Sequence, residues 1–180
     1  MKQLLAIALL TCLSFSLPAQ EATRNSRPCT GENFHEFDFW LGDWEVWSKD
    51  STGTMQIVGY NKVERILGEC VIMENWTGVG DSRGKSFSLY NRESEQWEQT
   101  WVDNYGTVIY YGGEYNPSTR RLTFKGEGET QNRKYAYYRL SYFNNEDGTV
   151  RQLWEASQRP NGAKSVLFDA VYKRREAPEN

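Results

Sequence analysis

Hydrophobic and polar positions change their spacing at Gly42. Upstream, Phe34, Phe37, Trp40 and Leu41 recur at three- and four-residue intervals, which predicts one or two helical turns with a single apolar face. Gly42 supplies the stop. Downstream the interval falls to two. "DWEVW", "TMQIVGYNKVERIL", "ECVIMENWTG", "GKSFSLYN", "EQWEQTWVD", "TVIYYGGEY", "RRLTFKGEGE", "RKYAYYRLSYF", "GTVRQLWEAS" and "AKSVLFDAVYKRR" all read as strands rich in Val, Ile, Tyr, Trp, Phe and Thr. The separators, such as "KDSTG", "GDSRG", "DNYG", "NNEDG" and "RPNG", hold Gly, Asn and Asp, which tolerate positive φ, and Pro, which presets a turn. Short turns between about ten strands predict an antiparallel meander. Closing the meander into a barrel removes its exposed edges. The expected fold is therefore all-β, an antiparallel up-and-down barrel of about ten strands with a short N-terminal helical plug, in preference to a two-sheet sandwich. Such a barrel encloses more space than side chains alone fill, so a ligand cavity is expected.

A chain of 180 residues suits a single domain. Residues 1–19 read as a signal peptide, with Lys2, the apolar run "LLAIALLTCLSFSL" and the small residue Ala19 before a cut ahead of Gln20. The expected location is secreted or periplasmic. The run is shorter than a membrane span needs, so no stable span is expected. The alternatives are a retained anchor or a lipoprotein acylated at Cys12, although the apolar run continues past Cys12, where a lipoprotein would turn polar. Residues 20–31 read as a flexible lead-in, 32–175 as the barrel domain and 176–180 as a disordered tail.

Removing residues 1–19 removes one lysine, so 21 basic residues become 20 against 24 acidic ones, a net charge near −4. The balance is mildly acidic, with no basic block, and disfavours nucleic acid. Cys29 and Cys70 remain, either as a disulfide in an oxidising compartment or as two separate thiols. Two cysteines and one histidine do not make an ordinary closed zinc site, so no metal is expected.

Strand alternation sorts residues onto two faces. Trp97, Gln99, Trp101 and Asp103 share one face of "EQWEQTWVD". Cys70, Ile72, Glu74 and Trp76 share one face of "ECVIMENW", and Val150, Gln152, Trp154 and Ala156 one face of "VRQLWEA". In all three, tryptophan alternates with Glu, Gln or Asp on the expected inner wall. A purely structural core favours Leu, Ile and Val there, because buried polar groups cost free energy unless paired. A polar-aromatic wall suits a small-molecule site. The expected ligand-binding residues are therefore Glu74, Trp76, Trp97, Gln99, Trp101, Asp103, Gln152 and Trp154. The alternative is a solid barrel whose polar groups satisfy one another or hold water. Arg139, in "YAYYRLSY", either turns inward towards Glu74 or Asp103 or, as the preferred reading, outward to solvent.

Catalytic patterns are sparse. His35 is the only histidine and sits in the plug, with no "GxSxG", which disfavours a Ser-His-Asp or Cys-His hydrolase. Glu74 and Asp103 are the candidates for acid/base chemistry as isomerase, cyclase or hydrolase. The glycine-bearing segments match no phosphate or dinucleotide loop. The "NWT" sequon at Asn75 lies in a predicted strand and is read as chance. The preferred function is non-catalytic binding of a small apolar or aromatic ligand, without a cofactor. Carboxylate catalysis in the same cavity, or an interaction protein with a filled barrel, are the alternatives, and a second copy of the chain is a candidate partner.

"GDW", Gly42 to Trp44, resembles the Gly-x-Trp opening of lipocalins and related calycins. That resemblance implies a barrel-closing group of Gly42, Trp44 and a basic residue from "YKRR", namely Lys173, Arg174 or Arg175, with Arg174 chosen. The strand count is closer to the ten-stranded barrels of fatty-acid-binding proteins and nitrobindin. The fuller resemblance, through "FDFWLGDWEV", "NWTG", "WEQTWVDNYG", "RQLWEAS" and "VLFDAVYKRR", is to a bacterial, often exported, domain-of-unknown-function family with a lipocalin-like barrel. It implies a fold and no substrate or cofactor. Nitrobindin-like haem binding needs a histidine near the chain end, and the last strand has none.

Overall fold

The computed structural model describes residues 29–129 and 134–175. The signal-peptide reading, most of the lead-in and the tail fall outside the described residues. The strands are β1 (Gly42–Lys49), β2 (Met55–Ile66), β3 (Val71–Gly78), β4 (Arg83–Asn91), β5 (Gln96–Asp103), β6 (Val108–Asn116), β7 (Arg121–Glu129), β8 (Tyr135–Asn144), β9 (Val150–Ser157) and β10 (Lys164–Arg174). Each pairs antiparallel with its sequence neighbours, and β1 pairs with β10, so the meander closes into a ten-stranded barrel. Closure puts Trp44 opposite Arg174 and leaves no unpaired edge. No helix among the described residues is long and apolar enough to cross a membrane.

Alternation controls burial. On β4, Gly84, Ser86 and Ser88 are buried while Arg83, Lys85 and Phe87 between them are exposed. The inward set is largely aromatic. Trp44, Trp97, Phe124, Tyr142 and Tyr172 are almost wholly buried.

The barrel has two unlike ends. One is filled by residues 32–40, which form two 3-10 turns, Glu32–His35 and Asp38–Trp40. Each turn is too short to sustain α-helical bonding, so the amides close i to i−3, as in Trp40 N–H to the Phe37 carbonyl at 3.1 Å. The apolar face read from the spacing enters the barrel. Phe37 stacks on Trp40 at 4.9 Å and meets Tyr142 at 5.0 Å and Trp97 at 5.6 Å edge-on.

Three fastenings hold this plug. Cys29 and Cys70 form a disulfide, which decides between the two readings left open by the sequence. Cys70 was expected on the inward face of β3; it lies instead in the turn before Val71, where Leu67, Gly68 and Glu69 take positive φ, and is bonded to Cys29. The Arg65 guanidinium donates to the Phe34 carbonyl at 2.6 Å and pairs with Asp38. Arg174 lies over the Trp44 ring at 4.5 Å and donates to the Leu41 carbonyl at 3.1 Å. Gly42, at φ +140°, leaves room for that guanidinium, since a Cβ there would stand 2.4 Å from an Arg174 nitrogen. The neighbouring bases of "YKRR" point elsewhere, Lys173 onto Trp47 and Arg175 onto Tyr60. Arg139 takes an outward position, in register with Lys125 and Glu155.

Candidate functional site

At the end opposite the plug the inner wall is built from tryptophans seated on glycines. Trp76, Trp101 and Trp154 are each partly buried. Gly59 lies under Trp76 and Gly84 under Trp101; a Cβ on either would stand 2.4 or 2.3 Å from the ring above it. The absent side chains let both indoles lie against the wall. The Trp76 indole N–H donates to the Ser82 hydroxyl at 3.2 Å, and that of Trp101 to the Asp103 carboxylate at 3.2 Å. Trp154 meets Tyr138 at 5.6 Å, and Phe168 meets Trp76 edge-on at 6.0 Å. The rings thus come from β3, β5, β8, β9 and β10 and ring one mouth.

Below this wall, towards the plug, lies a buried polar group centred on Glu74, which is 3% exposed. The pairing register sets Glu74 between Val63 on β2 and Ser86 on β4. The Asn61 amide donates to one carboxyl oxygen at 2.8 Å and the Ser86 hydroxyl to the other at 2.7 Å. Among the described residues no lysine, arginine or histidine forms an ion pair with it. Burial pushes the Glu74 carboxyl up to about 7, against the smaller opposing pull of Ser86 and Asn61. Tyr142 and Tyr172 are held well above the usual phenol range, first by burial and then by the Glu74 carboxyl nearby. Their hydroxyls therefore stay protonated at neutral pH. The Asn61 carbonyl oxygen is buried and accepts no hydrogen bond. Gln99 donates to Ser88 at 2.9 Å, and Tyr172 donates to Gln152.

The expected binding residues divide by height in the barrel. Trp76, Trp101 and Trp154 lie on the wall of the mouth, with Glu74, Gln99 and Gln152 on the inner wall beneath them. Trp97 is placed at the plug end, where it is 1% exposed, packs on Phe37 and donates to Glu36 at 3.0 Å. Asp103 ties the β5–β6 turn. It accepts the Tyr105 and Thr107 backbone N–H groups, each at 3.0 Å. Burial pushes its carboxyl up, but the Thr107 and Tyr105 amides and the Trp101 indole outweigh that and hold it below the usual carboxylate range. His35 bonds Asp38 at 2.9 Å on the exposed side of the plug.

Asn61, Ser86 and Tyr172 were not expected at the site, and Tyr142 was expected only as one of several amphipathic rings. Two signals were present. Asn61 stands at an inward step of β2 between Gly59 and Val63, and Ser86 and Ser88 alternate on a strand whose other face is larger. Small inward residues mark where a neighbouring strand sends a large ring or a charged group across.

An open cleft of about 500 Å³ lies on the β1–β10 seam, lined by Trp47, Met55, Arg151, Val166 and Phe168 among others, and shares Phe168 with the mouth. It forms where β1 stops pairing with β10 and β10 bulges between Val166 and Phe168. None of the expected binding residues lines it.

The chain belongs to a family described as protein of unknown function (DUF1579), which matches residues 32–174. The match spans the plug and all ten strands. No curated protein matches the sequence.

Proposed function

We propose that this member of the family is an exported, calycin-like barrel that binds a small molecule with an apolar or aromatic body at the tryptophan-lined mouth, above Glu74. The observation that carries the reading is Glu74 itself. It is a buried carboxyl with two neutral hydrogen-bond donors and no cationic partner among the described residues. A core selected for stability alone would replace such a group with an apolar residue. The partly buried rings of Trp76, Trp101 and Trp154 supply apolar contact, and Gln99 and Gln152 supply orienting groups. The Arg174–Trp44 contact at the plugged end supports kinship with calycins. The Cys29–Cys70 bond supports an oxidising compartment, and N-terminal sequencing of the mature protein is expected to begin at Gln20. Native mass spectrometry of protein purified from its own host tests the binding reading. A co-purifying small molecule is expected, and its absence over repeated preparations overturns it.

A second reading has one observation in its favour. A carboxyl at about 7 is available in both protonation states at neutral pH, as a general acid or base must be. If the bound molecule is turned over, Glu74→Gln should abolish turnover while binding persists. Unchanged turnover would remove Glu74 from any reaction.

A further inference from the structure

We infer that the mouth takes an organic cation, an ammonium group on an aromatic or short alkyl body. The inference rests on the binding reading above and names the class of ligand. The floor offers acceptors, from Glu74 and Asn61, while the wall above it holds one buried donor without a partner, the Trp154 indole N–H. A carboxylate has about four lone-pair positions, and Glu74 uses one on each oxygen for Asn61 and Ser86. The Asn61 carbonyl oxygen beside it is buried and unpartnered. An ammonium carries three donors and no acceptor, so it complements this pair where an anion or an ether would not.

The walls agree with the floor. Trp76 lies directly opposite Asn61 on the adjoining strand and two residues from Glu74, and Trp101 lies opposite Ser86. Indole faces attract cations, most strongly out of water. The chain's own inward-set cations do not serve. Arg65 and Arg174 sit at the plug end, engaged with Phe34 and Asp38 and with Leu41 and Trp44. Tyr142 from β8 and Tyr172 from β10 face Glu74 as neutral phenols and add no positive charge. A cation from outside would supply the missing partner of a charge that otherwise costs stability.

A matched series of probes tests this: 2-phenylethylammonium, 2-phenylethanol and phenylacetate, followed by tryptophan fluorescence and calorimetry on the intact protein. At about pH 8 the ammonium should bind roughly tenfold or more tighter than the alcohol, and phenylacetate weakest. At about pH 5.5 the ammonium should lose about tenfold, because Glu74 is then protonated, while Asp103 stays ionised and both tyrosines stay neutral. Glu74→Gln should lower the ammonium affinity to about that of the alcohol and abolish its pH dependence. If the alcohol binds as tightly as the ammonium, or if the affinity ratio ignores pH, the cation inference falls and the binding reading stands. If no probe binds at millimolar concentration, the inference falls as well, and native mass spectrometry decides the binding reading separately. Should Glu74→Gln fail to fold, the probe series on the unaltered protein is sufficient to decide.

Discussion

Glu74→Gln is expected to stabilise the protein above neutral pH. Folding moves the carboxyl from an ordinary value of 4.5 to about 7, chiefly by burial. The folded state then holds more protons than the unfolded state between those values, so stability falls as pH rises through that window. It is complete below about 4.5, falls by at most about 1.4 kcal/mol per pH unit, and levels off above about 7. The full drop is about 3 kcal/mol, a large share of a typical domain's stability. Glutamine removes the charge and can keep both contacts, accepting from Asn61 and donating to the Ser86 hydroxyl. Urea unfolding followed by tryptophan fluorescence, at steps from about pH 5 to pH 8, gives both curves. The two proteins should lie within about 1 kcal/mol of each other near pH 5. At pH 8 the variant should lead by about 2–3 kcal/mol. The lone histidine, His35, is common to both and drops out of the difference. Parallel curves, or a less stable variant at pH 8, would refute the reasoning, since either result means the carboxylate has a favourable partner in the fold.

Other perturbations follow from the same geometry. Replacing Cys29 and Cys70 by serine opens a link across 41 positions of sequence and should cost about 4 kcal/mol by loop entropy, read as a lower urea midpoint; a loss below about 1 kcal/mol would mean the plug is held without it. Gly84→Val should displace the Trp101 ring and shift tryptophan emission, with a destabilisation of about 1–3 kcal/mol; unchanged emission would show that the ring does not need the glycine seat. Arg174→Ala removes the cation over Trp44 and the bond to the Leu41 carbonyl, and should cost about 1–2 kcal/mol, with faster hydrogen exchange at residues 38–44 if the plug end depends on it. Acid titration to about pH 3 should loosen the β5–β6 turn, because Asp103 is held below the usual range and contributes stability that is lost as pH falls through its folded value. Asp103→Asn should remove that acid sensitivity in the amide signals of Tyr105 and Thr107.

Much of this was legible in the chain. Period-two spacing after Gly42 is a local property, because side chains on a strand point alternately to opposite faces whatever the strand pairs with. It therefore put Glu74 with Trp76, Trp97 with Gln99, Trp101 and Asp103, and Gln152 with Trp154 on single faces. The short turns predicted antiparallel neighbours for the same reason. Alternation is silent about height. Trp97 and Trp101 share a face of β5, yet one packs on the plug and the other lines the mouth, because four residues along a strand is about 13 Å. Nor does alternation show which distant strand stands across the barrel. Tyr142 and Tyr172 stand near Glu74 only because β10 closes on β1, whereas Asn61 and Ser86 reach it from the neighbouring strands β2 and β4. The disulfide was undecidable for the same reason, since Cys29 and Cys70 meet only when the plug is seated. The barrel and its two faces could be read in advance because both depend on neighbours along the chain. Which side chains surround Glu74, with no cation paired to it among the described residues, follows from pairing register and barrel closure, which join residues apart along the chain.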